Sequence, residues 1–74
     1  MLVAIFDNGS GHALVGYKFD EARNRIYVCD SNTTQNTIDG RYIQLETNIL
    51  GVYSGWSYAP LGWSGGTGKI KYQT

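Results

Sequence analysis

Residues 12–19 alternate between two sets of positions, one more hydrophobic than the other. One set of alternate positions holds Ala13, Val15, Tyr17 and Phe19, and the other holds His12, Leu14, Gly16 and Lys18. A repeat of two residues is typical of a half-buried β-strand. We therefore predict a strand here, with the more hydrophobic first set on its core face.

Further segments of strand length follow along the chain. Each is rich in Val, Ile, Thr or aromatic residues and is bounded by turn-forming residues. They are residues 2–6, 25–30, 41–47, 56–58 and 69–73. Residues 48–54 are ambiguous, and the Gly-rich residues 61–68 are predicted to form a loop. No stretch keeps a helical period over three turns, so we predict an all-β fold. We expect a small antiparallel twisted sheet or partly open barrel of about five or six strands.

The length of 74 residues allows one domain, spanning residues 1–74. A domain of this size buries only about 60% of the surface of its unfolded chain and is marginally stable alone. Cys29 is the only cysteine and His12 the only histidine, so an internal disulfide is excluded and a zinc site is not expected. We predict no metal and no other cofactor. Self-association, or docking onto a larger protein partner, is the remaining source of stability.

The charges are balanced, with six Lys and Arg against six Asp and Glu. This balance does not favour a nucleic acid or an anionic membrane as partner, and it opposes association only weakly. No apolar run has the length of a membrane span. The first seven residues lack the basic start and the cleavage site of a signal peptide. By default we therefore expect a cytoplasmic location.

The strongest candidate for chemistry is His12 together with Asp30. If residues 12–19 pair with residues 25–30 as a hairpin, His12 opposes Asn32 and lies diagonal to Asp30. Opposed residues share a face of a sheet, so these three side chains are predicted to lie close together. A carboxylate or amide beside an imidazole fixes its tautomer and prepares it as a general base. The alternative is structural: His12 begins a strand and Asp30 caps the following loop.

Two short motifs in these strands carry a family resemblance. Gly-His-Ala-Leu-Val-Gly-Tyr occupies residues 11–17, and Arg-Ile-Tyr-Val-Cys-Asp-Ser-Asn occupies residues 25–32. Together they resemble the catalytic-histidine half of papain-like cysteine peptidases. The likeness is greatest to bacterial members in which Gly-His-Ala opens one strand and a Tyr-Val-Tyr-Asp-Pro-Asn-like segment ends the next. The resemblance covers about residues 11–58.

The resemblance implies that His12 is the catalytic base and Asp30 the residue that orients it. In that family the nucleophilic cysteine lies upstream, at the start of a helix in a separate half of the fold. These 74 residues contain no such half. Cys29 is predicted to oppose Val15, away from His12, as a buried and inert thiol. We therefore expect no catalysis by the chain alone.

Three functions remain open at this point. The first, which we favour, is a non-enzymatic binding or assembly module, acting as a homo-oligomer or on a larger partner. The second is the histidine-bearing fragment of a split cysteine peptidase or transferase, completed by a partner that bears the nucleophile. The third is carbohydrate binding through Trp56, Tyr58 and Trp63, whose rings can stack on sugars or anchor a partner if exposed. Packing in the core is the simpler interpretation of these three rings.

Overall fold

The computed structural model describes residues 1–29 and 41–73, and this part of the chain is all-β. Seven strands make up 68% of the described residues, and no α-helix occurs among them. The strands are β1 (Leu2–Asp7), β2 (Ser10–Asp20), β3 (Arg25–Cys29), β4 (Tyr42–Thr47), β5 (Tyr53–Tyr58), β6 (Trp63–Gly66) and β7 (Ile70–Gln73). Two short 3₁₀ turns, Ala59–Leu61 and Thr67–Lys69, flank β6. In the same ranges no helix has the length and apolar character needed to cross a membrane. The predicted fold class is confirmed, with seven strands where five or six were expected.

The strands form one antiparallel sheet in the order β6-β5-β4-β3-β2-β1-β7. Consecutive strands pair from β1 to β6, and β7 returns to pair with β1. The sheet curls into a nearly closed barrel. The backbone N–H of Ser64 in β6 donates to the carboxylate of Asp7 in β1 across 3.2 Å, which joins distant strands of the sheet.

A two-residue turn sets the register of the first hairpin. Asn8 and Gly9 both have positive φ, 53° and 76°. This is the backbone conformation of a type I′ turn, whose twist matches that of the strands it joins. Asp7 consequently pairs with Ser10, and the register continues to the pair of Ile5 with His12.

The core fills the interior of the barrel. Its buried side chains are Val3, Ile5, Leu14, Ile26, Val28, Ile43, Trp56, Tyr58 and Ile70. Three partly buried side chains, Leu45, Tyr53 and Trp63, pack against them. Burying each large aliphatic or aromatic side chain contributes about 1.5–3 kcal/mol to the free energy of unfolding. Such a small core makes every interior position sensitive to substitution.

The predicted core face of β2 is wrong. Leu14 is only 2% exposed and Gly16 is buried, whereas Val15 is 49% exposed. The reason is steric, because a Cβ on Gly16 would lie 3.2 Å from the side chain of Ile26 and 3.4 Å from that of Val3. The position of Gly16 therefore leaves little room for a side chain. Ala13, Val15 and Tyr17 of the predicted core set are exposed on the outside, whereas Phe19, beyond a β-bulge, is opposed to the buried Ile26.

The segment predicted to be a loop contains strand β6. Gly55 of β5 and Gly65 of β6 allow a close approach of the two strands that larger residues would prevent. A Cβ on Gly55 would lie 2.7 Å from the carbonyl oxygen of Gly65, and a Cβ on Gly65 would lie 3.2 Å from the Trp56 indole. Gly65 therefore lies where a side chain would meet the buried tryptophan, whereas a Cβ on Gly66 would meet nothing within 4 Å.

Candidate functional site

His12 lies on the inner face of β2, near the start of the strand. Its backbone pairs with Ile5 of β1, and its side chain is partly exposed. The next inner position, Leu14, belongs to the buried core. Inner positions alternate along a strand, so His12 occupies the rim where the core meets solvent.

Two aromatic rings flank the imidazole. The centroid of the Tyr58 ring lies 6.5 Å from that of His12, at an interplanar angle of 30°. The Trp63 ring lies 6.3 Å away at 79°, an edge-to-face arrangement. Tyr58 and Trp63 are directly opposed in β5 and β6, so both reach the same rim. The fold thus brings together the candidate base and two of the aromatic residues that the sequence suggested for a separate role.

The two predicted partners of His12, Asp30 and Asn32, lie outside the described residues. The hairpin register that predicted their position can be followed as far as Cys29, which opposes Val15 as expected. Nearer the turn the register differs by one residue, because a β-bulge puts Lys18 rather than Tyr17 opposite Tyr27. Proximity of Asp30 and Asn32 to His12 stays a prediction.

Cys29 lies on the outer face of the sheet. It is opposed to Val15, whose side chain is largely exposed, and it follows Val28, which is fully buried. Its thiol is partly exposed, not buried as predicted. Since His12 belongs to the inner set of β2, the thiol and the imidazole project from opposite faces, as the sequence predicted.

Two of the three predicted ligand-binding aromatic residues belong to the core. Trp56 and Tyr58 are almost completely buried, whereas Trp63 is partly exposed. A ring must offer an open face to stack on a sugar. Trp56 and Tyr58 offer no such face in this structure and pack in the core. The indole N–H of Trp56 is buried and has no hydrogen-bond acceptor in the structure described.

Sequence reasoning missed an aromatic surface on the outside of the barrel. The rings of Tyr17, Tyr27 and Tyr42 succeed one another across β2, β3 and β4, with centroid separations of 6.4 and 5.8 Å. The guanidinium of Arg25 lies 4.1 Å from the Tyr42 centroid, and the ammonium of Lys18 lies 5.6 Å from that of Tyr27. Cation–π contacts of this kind favour an ordered surface. The available signal was the predicted hairpin, which places Tyr17 opposite Tyr27; in the structure Tyr27 is directly opposed to Tyr42 and Tyr17 is one residue out of register with Tyr27.

A surface groove of about 460 Å³ lies beside the Asn8-Gly9 turn. The ring of Phe6 and the side chains of Asp7, Lys69 and Lys71 line it. Asp7 already accepts the hydrogen bond from Ser64 described above. The groove therefore combines an apolar wall with two ammonium groups and one engaged carboxylate.

No group of three or more His, Cys, Asp or Glu side chains within residues 1–29 and 41–73 is arranged to hold a metal ion. Comparisons with protein-family models, with curated proteins and with solved structures return no significant match. Function must therefore be inferred from the geometry of these residues.

Proposed function

We propose that the chain is a small binding and assembly module, resembling the β half of papain-like cysteine peptidases and lacking catalysis on its own. The observation that carries this proposal is the position of Cys29 and His12 on opposite faces of the sheet. Activation of a thiol requires a base within hydrogen-bond reach, about 2.6–3.2 Å. With the sheet between them, these two groups do not form a thiol–imidazole pair.

The outer surface offers what an association module needs. On the outer face of β1 and β2 the large hydrophobic side chains of Leu2, Val15 and Tyr17 are exposed, and Leu2 is directly opposed to Val15. Clusters of exposed apolar side chains mark protein contact sites. With a formal net charge of +0, the chain has little electrostatic repulsion to overcome.

The rim position of His12 favours a second candidate, the histidine-bearing part of a split cysteine peptidase or transferase. The imidazole is partly exposed, stands on a paired strand and is flanked by Tyr58 and Trp63. An imidazole held in this way can accept the proton of a thiol that another chain supplies. In this candidate Asp30 is the orienting group, as the family resemblance implies.

Peptide cleavage assays separate the two candidates. The purified parent chain, Cys29→Ser and His12→Ala are each incubated with a fluorogenic peptide library, with and without iodoacetamide. The proposal predicts no thiol-dependent cleavage by any of the three. Thiol-dependent cleavage by the parent alone, lost in Cys29→Ser, overturns it.

The same assay is then applied to the native complex isolated from the source organism. Cleavage that persists in Cys29→Ser but is lost in His12→Ala establishes the split enzyme. A complex that forms equally with the parent and His12→Ala, and cleaves nothing, supports the non-enzymatic module. Folding of each variant is checked by circular dichroism.

A further inference from the structure

The outer face of β1 carries two adjoining recesses. Its outer positions, Leu2, Ala4 and Phe6, alternate with buried ones. One recess is the groove of about 460 Å³ beside the Asn8-Gly9 turn, which Phe6 lines and which we call the cationic recess. The other, of about 410 Å³, is lined by Leu2 and Ala4, and we call it the apolar recess. Lys71 lines both, so the two recesses meet at this residue.

The apolar recess is a trough between larger side chains. Its floor is formed by Ala4 and Ala13, which are directly opposed in β1 and β2 and whose small side chains leave a depression in the sheet surface. Beyond them Leu2 is opposed to Val15, and both of these side chains are about half exposed. The trough therefore stays apolar along the strand and is open to solvent.

Phe6 forms a wall of the cationic recess. Its ring lies over Gly11, the residue opposed to it in β2, and a Cβ on Gly11 would lie only 3.1 Å from the ring carbon Cε1. The glycine thus leaves the space that the ring occupies. Since Phe6 is the next outer position after Ala4, its ring continues the apolar surface of the trough into the cationic recess.

Two ammonium groups give the cationic recess its charge. Lys69 and Lys71 both line it, and both are exposed. Within residues 1–29 and 41–73 neither of them makes an ion pair. The carboxylate of Asp7, which also lines the recess, already accepts a hydrogen bond from the backbone N–H of Ser64. The recess therefore carries an excess of positive charge, which favours an anion.

The pairing of β1 decides which kind of molecule suits this face. Residues 2–5 pair with β2 on one side and with β7 on the other, so the backbone groups of β1 are engaged in the two ladders. An extended peptide that binds a sheet gains affinity from main-chain hydrogen bonds at a free edge. The face of β1 offers no such edge, and the polar backbone of a peptide lying on it would find no partner there. A hydrocarbon chain needs none.

We propose that this face binds a free fatty acid, a single hydrocarbon chain with an anionic end. The carboxylate lies between Lys69 and Lys71, whose charge complements it. The hydrocarbon chain runs along the apolar recess from Ala4 to Leu2. From Phe6 to Leu2 the strand spans about 13 Å, which suits a chain of medium length. The inference goes beyond the proposed function, since it assigns a small-molecule ligand to part of the surface considered there for association with proteins.

Isothermal titration calorimetry of the full chain with decanoate, kept below its micellar concentration, tests the site. We expect saturable binding of a single decanoate per chain. Decylammonium has the same hydrocarbon chain and the opposite charge, and we expect it to bind about tenfold more weakly or less. In NMR spectra decanoate is expected to shift the backbone amide signals of Ala4, Ala13 and Lys71 and to leave those of β4 in place.

Matched pairs of variants test the two ends of the site. Lys69→Gln and Lys71→Gln are each expected to weaken decanoate binding by about tenfold, because each removes a charge-assisted contact. Lys18→Gln, which removes a lysine that lies over Tyr27, outside both recesses, is the control and leaves binding unchanged.

The apolar end has its own pair. Ala13→Phe fills the trough and is expected to weaken decanoate binding by about tenfold or more. Ala22→Phe adds the same ring at an exposed position between β2 and β3, and it leaves binding unchanged. Circular dichroism checks the folding of every variant, and the amide shifts in the parent locate the site independently of any substitution.

Four results overturn the fatty-acid site. They are the absence of saturable decanoate binding, binding that is unchanged in both Lys69→Gln and Lys71→Gln, equal binding of decylammonium, and amide shifts confined to strands other than β1, β2 and β7. Flotation with phosphatidylglycerol vesicles identifies the source of the ligand. A chain that floats with these vesicles and does not bind decanoate contacts a bilayer, and the proposal of a free fatty acid then fails. The cleavage assay reports separately on the proposed function.

Discussion

The imidazole of His12 and the indole of Trp63 meet edge to face, with ring centroids 6.3 Å apart. Their strands, β2 and β6, are separated by β3, β4 and β5 in the sheet order. In a flat sheet, strands about 4.8 Å apart could not bring these rings into contact over such a span. The contact between His12 and Trp63 therefore depends on closure of the barrel, and it places an aromatic ring beside the candidate base.

Replacing Trp63 by Leu is expected to move the NMR signals of the His12 ring protons, because the indole ring current that acts on them is lost. His12 is the only histidine, so its signals are assigned without ambiguity. Phe19→Leu, which changes an exposed ring at the other end of β2, serves as the control and leaves these signals in place. Unchanged His12 signals in Trp63→Leu would disprove the contact.

Ile43 and Ile49 provide a matched pair for the core, since one is fully buried and the other fully exposed. Ile43→Val is expected to lower the free energy of unfolding by about 1 kcal/mol, because a buried methylene is removed. Ile49→Val is expected to change it by less than about 0.5 kcal/mol. Urea unfolding of both variants and the parent is measured at the same low protein concentration. Equal effects of the two substitutions would contradict the assignment of the core.

Two glycines of the β5–β6 pair test the packing around Trp56. Gly55→Ala is expected to lower the free energy of unfolding by about 1–3 kcal/mol, because its Cβ meets the carbonyl oxygen of Gly65 at 2.7 Å. A Cβ on Gly66 would meet nothing within 4 Å, so Gly66→Ala is expected to lower the free energy of unfolding much less than Gly55→Ala. Urea unfolding followed by tryptophan fluorescence compares them. If both variants are equally stable, β5 and β6 do not approach as closely as described.

Because of Tyr53, we expect the free energy of unfolding to fall as pH rises in the alkaline range. Burial, followed by the hydrogen bond to Tyr72 and the charge of Tyr72, raises the pKa of Tyr53 above its ordinary value of 10.0. The unfolded chain therefore loses this proton first. The contribution of Tyr53 to stability is complete below that ordinary value and is lost as pH rises from it toward the folded-state pKa.

The measurement is the urea midpoint as a function of pH in the parent and in Tyr53→Phe. The variant cannot ionise at this position, so its stability should decline less steeply in alkali. Tyr27→Phe, which changes a different tyrosine, serves as the control for general alkaline effects. A parent and a Tyr53→Phe variant with the same alkaline slope would show that Tyr53 contributes nothing to it.

The fold class was predictable because alternation, β-forming residues and turn residues agreed along most of the chain. The inner face of β2 was not. Hydrophobicity favours Val15 over Gly16 as the inner residue, yet Gly16 is inside, where a Cβ would lie only 3.2 Å from the side chain of Ile26. The volume available at an inner position depends on residues from other strands, which a local pattern does not contain.

Strand β6 escaped prediction for a related reason. Its glycines look like a loop in the sequence, but Gly65 lies against the indole of Trp56 and close to β5. Local preference disfavours glycine in a strand, and the fit around a large buried ring overrides that preference.

The parts of the candidate site that depend only on the pairing of β2 with β3 were predictable from the sequence. His12 shares a face with Leu14, and Cys29 opposes Val15, as the hairpin pattern indicated. The approach of Tyr58 and Trp63 to His12 follows from closure of the whole sheet, and no spacing in the sequence encodes it directly.

The separation of Cys29 from His12 is tested most directly by the rate of Cys29 alkylation with iodoacetamide, measured against pH in the parent and in His12→Ala. The thiolate is the reactive species, and an adjacent imidazolium would preserve it in acid. We predict that the two rate profiles superimpose and that both rates fall as the solution is acidified. An alkylation rate that persists in acid in the parent, and is lost in His12→Ala, would show a thiolate–imidazolium pair and contradict the proposed module.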